Sequence, residues 1–175
     1  SAEIQSLYHE NGWKTLADVS GNLYNTVKIG NQLWMSENLN TSVYNNGSSI
    51  PFDSITATWI GLTSGSRCYY NNDSLTYAST YGALYNWYAV ADNRNICPIG
   101  WHVPSDAEWT SLTDFLGGES VAGSKLKEIG TSHWNTNVDG TNVSGFTALP
   151  GGARNNSGFI TINDQGFWWT STKLD

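Results

Sequence analysis

A run of oxygen-bearing side chains in the second half of the chain is the part of this sequence that comes nearest to a metal site. Asn135, Asn137 and Asp139 alternate along the chain, and Gly140 and Asn142 follow them. Such alternation can turn three oxygen atoms towards one point, and the glycine permits the sharp bend that a calcium loop requires. The pattern therefore predicts calcium as a candidate cofactor, with the Asn and Asp side chains of this run as its ligands.

The second half of a calcium loop is missing from this run. Phe146 stands where a bidentate Glu would complete the coordination of the ion. The alternative interpretation is an Asn-rich turn held by hydrogen bonds between side chains and backbone. Both interpretations stay open on the sequence alone.

A second set of residues has the chemistry to bind an organic ligand. Flat apolar faces come from Trp134, Trp168 and Trp169, and polar groups come from four side chains: Arg154, Asn155, Asn163 and Asp164. Amide and carboxylate groups beside aromatic rings suit a sugar, and they also suit a short peptide whose terminal carboxylate is bound by calcium or Arg154. Neighbouring residues of a strand point to opposite faces, so at least one of Trp168 and Trp169 can instead belong to the core.

The sequence contains little evidence for a catalytic site. His9, His102 and His133 are far apart along the chain, and none lies beside an acidic pair or a nucleophile motif. The patterns of zinc peptidases, serine hydrolases and phosphate-binding loops do not occur. We therefore expect a protein that is not an enzyme, in which His102 is a hydrogen-bonded structural residue.

Cys68 and Cys97 are the two cysteines of the chain, and they are compatible with one disulfide bond. Their spacing matches no metal-binding or redox motif. A bond between them would close a loop of roughly thirty residues and would contribute about 3 kcal/mol in the chain-entropy model. In an oxidising compartment, this pairing is slightly favoured.

The composition restricts the class of protein. With 175 residues, of which nine are Trp, nine Tyr and five Phe, the chain can form one domain with a substantial core. The net charge of -7 argues against nucleic acid as a partner, because no basic patch is present to neutralise phosphates. No apolar run approaches the roughly 20 residues that cross a membrane, and no signal peptide is evident. A polar surface rich in Asn, Ser, Thr and Gly is typical of extracellular bacterial modules, so we expect a segment of a longer secreted protein.

The elements that must position these residues are organised around one helix. A capping box of Ser105 and Glu108 begins it, because each side chain can accept a hydrogen bond from the backbone amide of the other residue. Gly117 and Gly118 end it, since both tolerate left-handed geometry. Between these signals, four apolar residues recur on one face: Trp109, Leu112, Phe115 and Leu116. The pattern predicts a helix over residues 105–116.

Further elements follow from the same kind of pattern. A second helix is predicted over 79–91 from four residues at helical spacing: Leu84, Trp87, Tyr88 and Ala91. A turn or short helix is predicted at 123–129, and residues 1–20 are predicted to be an arm or a short helix that precedes a domain over 21–175. Strands are predicted at 23–29, 32–35, 68–70, 146–149, 159–162 and 167–172, the first two joined by a hairpin turn.

Several stretches together resemble one known family. GWHVPSDAEW at 100–109 is similar to the central signature of the Fibrobacter succinogenes major paralogous domain and, more distantly, to the G-x-R-L-P-T-E-A-E-W segment of formylglycine-generating enzymes. Further matches occur in the same order: TVKIGNQLWMSENLN (26–40), RCYYNND (67–73), YGALYNWYAV (81–90) and GFTALPGGARN…GFWWTST (145–172). The resemblance extends over most of the chain.

This resemblance implies an α+β, C-type-lectin-like fold with two helices, short antiparallel strands and a long-loop region. Members of the family usually continue past the WWTST-like segment to a strand with an Arg-Cys pair, so Cys97 can alternatively pair with a cysteine beyond this sequence. The oxidase chemistry of formylglycine-generating enzymes depends on a C-terminal cysteine pair, and no cysteine follows Cys97 here.

The resemblance therefore implies a non-catalytic ligand-recognition module for adhesion, in a bacterial surface or secreted protein. Its expected partner is an extracellular glycan or short peptide, with calcium as a possible requirement, and the module is expected to be monomeric, outside the membrane and unable to bind nucleic acid. An enzyme related to formylglycine generation and a purely architectural domain are the alternatives.

Overall fold

A four-stranded antiparallel sheet forms the N-terminal part of the computed structural model, which describes residues 7–8 and 14–173. Its strands follow the order of the chain: β1 (Leu7–Tyr8), β2 (Lys14–Ala17), β3 (Leu23–Ile29) and β4 (Gln32–Met35). The predicted β3–β4 hairpin is confirmed with the same bounds, and Gly30 in its turn has a φ of 60°. Of the arm or helix predicted for 1–20, residues 1–6 and 9–13 lie outside the described residues, and 14–17 form a strand.

Short elements fill the middle of the chain: α1 (Thr56–Trp59), β5 (Arg67–Cys68), a 3-10 turn (Tyr70–Asn72), α2 (Ser74–Tyr81), β6 (Leu84–Tyr85) and α3 (Trp87–Val90). The single helix predicted over 79–91 is therefore wrong. The chain turns at Gly82, which has a φ of 69°, and a Cβ there would lie 2.7 Å from the carbonyl oxygen of Leu39. A new helix begins after Asn86, whose side chain accepts a hydrogen bond from the Ala89 amide.

The helix predicted around the capping box is confirmed as α4 (Asp106–Phe115). The Glu108 amide donates to Ser105 Oγ over 3.3 Å, and the Ser105 amide donates to Glu108 Oε2 over 2.8 Å. Gly117 and Gly118 end the helix with φ angles of 103° and 97°. The turn or short helix expected at 123–129 is the end of α5 (Glu119–Leu126).

The C-terminal strands are fewer than the sequence predicts. β7 (Ala153–Asn155) pairs with β8 (Gly158–Ile160), and β8 is the strand predicted over 159–162. The strand predicted over 68–70 is shorter, since only β5 forms there before the 3-10 turn.

The strands predicted at 146–149 and 167–172 are wrong. The first segment makes a single bridge, between Ala148 and Lys127. The second has no strand neighbour among the described residues, and other bonds fix its backbone: the Trp109 indole N–H donates to the carbonyl of Trp169 over 3.2 Å, and the Ser171 amide donates to the carbonyl of Pro104 over 2.8 Å. Its alternation of side chains is therefore not that of a sheet.

Buried apolar side chains form two clusters. The first joins the sheet to α4 and α5: Val27, Ile29, Trp34, Leu112, Leu116, Ala122, Phe146 and Ala148. The second surrounds β6 and α3: Tyr44, Ile50, Tyr85, Ala89, Val90, Ile96 and Cys97. The domain is thus α+β, and within the described residues no helix is long and apolar enough to cross a bilayer.

The predicted disulfide bond between Cys68 and Cys97 does not form, and both residues are buried free thiols. They lie in different surroundings, because Cys97 belongs to the second cluster whereas the Arg154 guanidinium adjoins Cys68. Burial raises the pKa of the Cys97 thiol to about 12, and burial also raises the pKa of the Cys68 thiol. Both side chains are therefore protonated at neutral pH.

Candidate functional site: a cleft along strand β4

A cleft of about 770 Å³ lies along β4, and we call it the β4 cleft. Such a volume falls within the roughly 300–1,000 Å³ of pockets that bind small organic ligands. Residues 32–39 line it without interruption. The rest of the lining comes from 79–81, 83–85, Val90, Ile96, Cys97, 100–104, Glu108 and Trp109 at the start of α4, His133, 146–149 with 151–152, and 167–169. The cleft therefore brings together segments from both halves of the chain.

Trp168 and Trp169 both line the β4 cleft, and neither is buried. Their exposed fractions are 38% and 45%. The indole N–H of Trp168 donates to Asn38 Oδ1 over 3.1 Å, and that of Trp169 donates to the carbonyl of Tyr85 over 3.0 Å. These two bonds hold each ring at one edge while part of its surface stays accessible, which is the property an aromatic binding platform needs.

Trp134 does not share this position. It is only 6% exposed, and its indole N–H donates to the carbonyl of Ala148 over 3.2 Å. The ammonium group of Lys127 lies 5.1 Å from its ring centroid. The expectation that Trp134 offers a flat face to a ligand is corrected accordingly, because packing encloses the ring on the inside of the domain.

Arg154 and Asn155 lie on the β7–β8 hairpin and do not line the β4 cleft. Arg154 Nη1 donates to the carbonyl of Asp53 over 2.6 Å, and its guanidinium lies over the rings of Trp59 and Phe159, at 4.5 and 5.0 Å from their centroids. Asn155 is exposed, and its Oδ1 accepts from the Ser157 amide over 2.8 Å. The structure thus separates these two residues from Trp168 and Trp169.

Asn163 and Asp164 do not line the β4 cleft. Asn163 Oδ1 accepts from the Tyr81 hydroxyl over 2.9 Å, and Tyr81 itself lines the cleft. Asp164 Oδ1 accepts from Asn135 Nδ2 over 2.9 Å. Both residues therefore support a lining residue or the neighbouring loop, and neither contributes to the surface of the cleft.

The side chains predicted to bind calcium have separate hydrogen-bond partners. Asn137 Nδ2 donates to the carbonyls of Glu128 and Gly130, and its Oδ1 accepts from the Gly140 amide. Asp139 Oδ1 lies 3.3 Å from the Lys127 ammonium, and Asn142 exchanges two bonds of 2.9 Å with Thr147.

These bonds match the alternative of an Asn-rich turn. Their partners differ from one side chain to the next, so the run as it stands does not present a common set of free oxygen atoms for one cation. Across residues 14–173, no group of three or more His, Cys, Asp or Glu side chains is placed to hold a metal ion. Calcium binding stays a prediction.

Two histidines of the lining were not assigned to a binding site by the sequence. His102 Nε2 lies 2.8 Å from Glu108 Oε1, so His102 is hydrogen-bonded as predicted. His133 Nδ1 lies 2.9 Å from both carboxylate oxygens of Glu128. The only sequence signal for the first pair was the position of His102 just before the capping box.

The lining of the β4 cleft contains acidic side chains but, within the described chain, no Lys or Arg. The acidic side chains are Glu37 and Glu108. Hydrogen bonds from Ser105, and after them the bond from His102, lower the pKa of Glu108. The Glu108 carboxylate is therefore ionised at neutral pH. With two acidic side chains and no Lys or Arg in its described lining, the cleft favours a neutral or basic ligand over an acidic one.

Residues 27–175 match the family model described as the Fibrobacter succinogenes major domain. The search of curated proteins found no match, and neither did the search of solved structures.

Proposed function

The chain belongs to the Fibrobacter succinogenes major domain family, and from this premise we propose that it is a non-catalytic ligand-recognition module of a bacterial surface or secreted protein. The proposal includes a C-type-lectin-like fold and a role in adhesion through an extracellular glycan or a short peptide. The observation that supports it best is the pair of partly exposed indoles, Trp168 and Trp169, in the wall of a cleft large enough for such a ligand.

The chemistry of the β4 cleft supports this choice. Aromatic faces bind the C–H surface of a sugar or an apolar side chain, and polar groups beside them orient the ligand. Asn38 and His102 provide such groups in the lining. The rival enzymatic function would need a reactive thiol, and the cleft contains Cys97, whose pKa of about 12 makes it a poor nucleophile at neutral pH.

Arrays of glycans and short peptides, probed with and without a chelator, test the proposal. We expect at least one class to bind, and Trp168→Ala to weaken that binding strongly, because the substitution removes part of the platform. The matched control is Trp59→Ala, at a residue that does not line the cleft. If no glycan and no peptide binds, with or without the chelator, an architectural domain would be favoured.

Measurements of protein stability test whether the protein binds calcium. An ion that binds only the native state must raise the Tm. A Tm that rises with added calcium and falls with chelator would support the calcium proposal, with Asp139→Asn as the variant expected to abolish the effect. A Tm that stays constant would count against it.

A further inference from the structure

Arg154 has two buried nitrogen atoms without a hydrogen-bond partner. Its Nη1 donates to the carbonyl of Asp53, whereas its Nε and Nη2 are buried and have no partner among the described residues. These two nitrogens form one edge of the planar guanidinium, and that edge can donate two parallel hydrogen bonds to the two oxygens of a carboxylate. Buried donors of this kind normally have an acceptor. The unpaired edge of Arg154 is therefore the part of the side chain best suited to bind an oxyanion.

Arg94 uses the same edge of its guanidinium to bind a carboxylate. Its Nε and Nη2 donate to Oδ1 and Oδ2 of Asp92 over 2.8 and 2.6 Å. Arg154, by contrast, forms no ion pair with any described residue. The carboxylate of the neighbouring Asp53 is engaged elsewhere, since its Oδ1 accepts hydrogen bonds of 2.7 and 2.9 Å from residues of its own loop. The edge of Arg154 thus lacks the partner that Arg94 has.

A second arginine adds positive charge to this region. Arg67 has no ion pair within the described part of the chain either, and its Nε is also buried without a partner there. Both arginines lie close enough to Cys68 for their charges to act on its thiol, which is only a weak acceptor. Charges that are taken out of water are normally paired. One anion could therefore complete the environment of both guanidinium groups.

Helix α1 places an aromatic ring over the Arg154 guanidinium. The ring centroid of Trp59 in α1 lies 4.5 Å from the guanidinium carbon, and that of Phe159 lies 5.0 Å from it. No residue of α1 is buried, and its N-cap position holds Ile55, which has no polar side chain to cap the helix. A helix of one turn has little stability of its own, and a segment with few buried contacts opens at a low cost in free energy. α1 is therefore the element that can open to admit a small ion and close again over it.

We propose that Arg154, together with the charge of Arg67, binds a small carboxylate beneath α1, and we call this the Arg154 site. Neither arginine lines the β4 cleft, so the site is a separate one and the inference goes beyond the proposed function. A planar carboxylate matches the two parallel N–H groups of one guanidinium edge. A tetrahedral dianion such as phosphate or sulfate matches that edge less well, because it needs donors from several directions.

A carboxylate from another part of the same polypeptide is the rival occupant of the Arg154 site. The donor atoms are buried and the Trp59 ring lies over the guanidinium, so a chain segment would have to displace α1 permanently to reach them. A small diffusible ion needs only a transient opening of α1. Pairing within the polypeptide would also leave the edge occupied before any ligand is added, which distinguishes the two occupants.

Nuclear magnetic resonance of the arginine Nε–H groups tests the proposal on the unsubstituted protein. The probes are sodium acetate and sodium glucuronate, with sodium chloride, phosphate and sulfate at equal ionic strength for comparison. We expect the carboxylates to shift the Arg154 signal downfield until it saturates, because a charge-assisted hydrogen bond forms. The Arg94 signal should stay constant, since its edge is already paired with Asp92. No saturable shift at Arg154, or an equal shift with chloride, would overturn the proposal.

Substitutions at two arginines provide matched variants. Arg154→Lys keeps the positive charge but loses the paired N–H groups of the edge. A carboxylate that binds the native state raises the Tm, and this rise should occur in the unsubstituted protein and in Arg94→Lys. We expect Arg154→Lys to bind glucuronate at least about tenfold more weakly than Arg94→Lys does. An equal rise of Tm in both variants would contradict the proposal, and if Arg154→Lys does not fold, the resonance experiment on the unsubstituted protein decides.

Amide hydrogen exchange tests the role of α1. The Trp59 amide donates to the carbonyl of Ile55 within this helix. At a glucuronate concentration about ten times Kd, its exchange should slow roughly tenfold, because α1 must stay closed over the bound ion. The Gly47 amide, in an exposed turn of another loop, is the control and should exchange at an unchanged rate. Unchanged exchange at Trp59 in the saturated protein would overturn the assignment of α1 as the cover of the site.

Two further outcomes would overturn the proposal. An Arg154 signal that already has the position of a paired group before ligand is added would assign the edge to a carboxylate of the polypeptide itself. Tighter binding of phosphate or sulfate than of acetate would contradict the ligand class. Trp168→Ala should leave carboxylate binding unchanged because the Arg154 site is separate from the β4 cleft, so failure of this inference and failure of the proposed function are distinguishable.

Discussion

Trp168 and Asn38 lie 130 positions apart in the sequence, and the indole N–H of Trp168 donates to Asn38 Oδ1 over 3.1 Å. Asn38 Nδ2 also donates to the carbonyl of Tyr81 over 3.1 Å. One amide side chain thus connects the segment after β4, the end of α2 and the aromatic run of the cleft.

Asn38→Ala should remove both of these hydrogen bonds. We expect the free energy of unfolding to fall by about 1–3 kcal/mol, since each bond contributes about 0.5–1.5 kcal/mol. Urea denaturation followed by tryptophan fluorescence measures the change. Asn156→Ala, at an exposed residue of the β7–β8 turn, is the matched control and should change stability by less than about 0.5 kcal/mol. Equal stability of the two variants would show that Asn38 does not hold Trp168 in place.

Gly82→Ala should destabilise the protein, because Gly82 has a φ of 69° and a Cβ would lie 2.7 Å from the Leu39 carbonyl oxygen. We expect a loss of about 2 kcal/mol or more from strain and overpacking together. Gly123→Ala is the matched control: it lies inside α5 with open space around its Cβ position, and it should stabilise the protein by about 0.5–1 kcal/mol. Thermal or urea unfolding measures both changes, and a neutral Gly82→Ala would contradict the close approach of these two segments.

The capping box predicts a dependence of stability on pH. The pKa of Glu108 is lowered in the folded state, first by hydrogen bonds from Ser105 and then by the bond from His102. A lowered carboxyl pKa adds stability above the unfolded value of about 4.3, and this stability is lost as the pH falls through the folded value. Glu108→Gln, which leaves no carboxyl to titrate, should cost about 1 kcal/mol at pH 7 because an amide is a weaker acceptor than a carboxylate, and it should flatten the loss below about pH 4.3. Unfolding curves measured from pH 7 to pH 3 test this, and a parallel pH profile in both proteins would rule out Glu108 as the origin.

Both cysteines should behave as buried free thiols. We expect no reaction with a thiol reagent at pH 7 under native conditions, because Cys68 and Cys97 are buried and burial raises the pKa of both. Two thiols should react once the chain is unfolded in denaturant without reductant. Fewer than two would reveal a disulfide bond, and fast labelling of the native protein would reopen the enzymatic alternative.

The sequence by itself determined the β3–β4 hairpin and helix α4. Their signals are local: Gly30 permits the turn, and Ser105 and Glu108 satisfy the first amides of the helix within four residues. Such elements need no distant contact to define their ends. The Gly117–Gly118 pair ends α4 for the same reason.

Only the tertiary structure decided where the apolar and polar side chains lie relative to one another. Leu84, Trp87 and Tyr88 have helical spacing, yet the approach of Gly82 to Leu39 divides this stretch into a strand and a separate helix. Similarly, Trp134 is enclosed in the domain while Trp168 remains at the surface, although both stand in Asn- or Gly-rich loops. The exposure of a side chain depends on packing between segments, and no local pattern records a contact such as that of Trp168 with Asn38, 130 positions away.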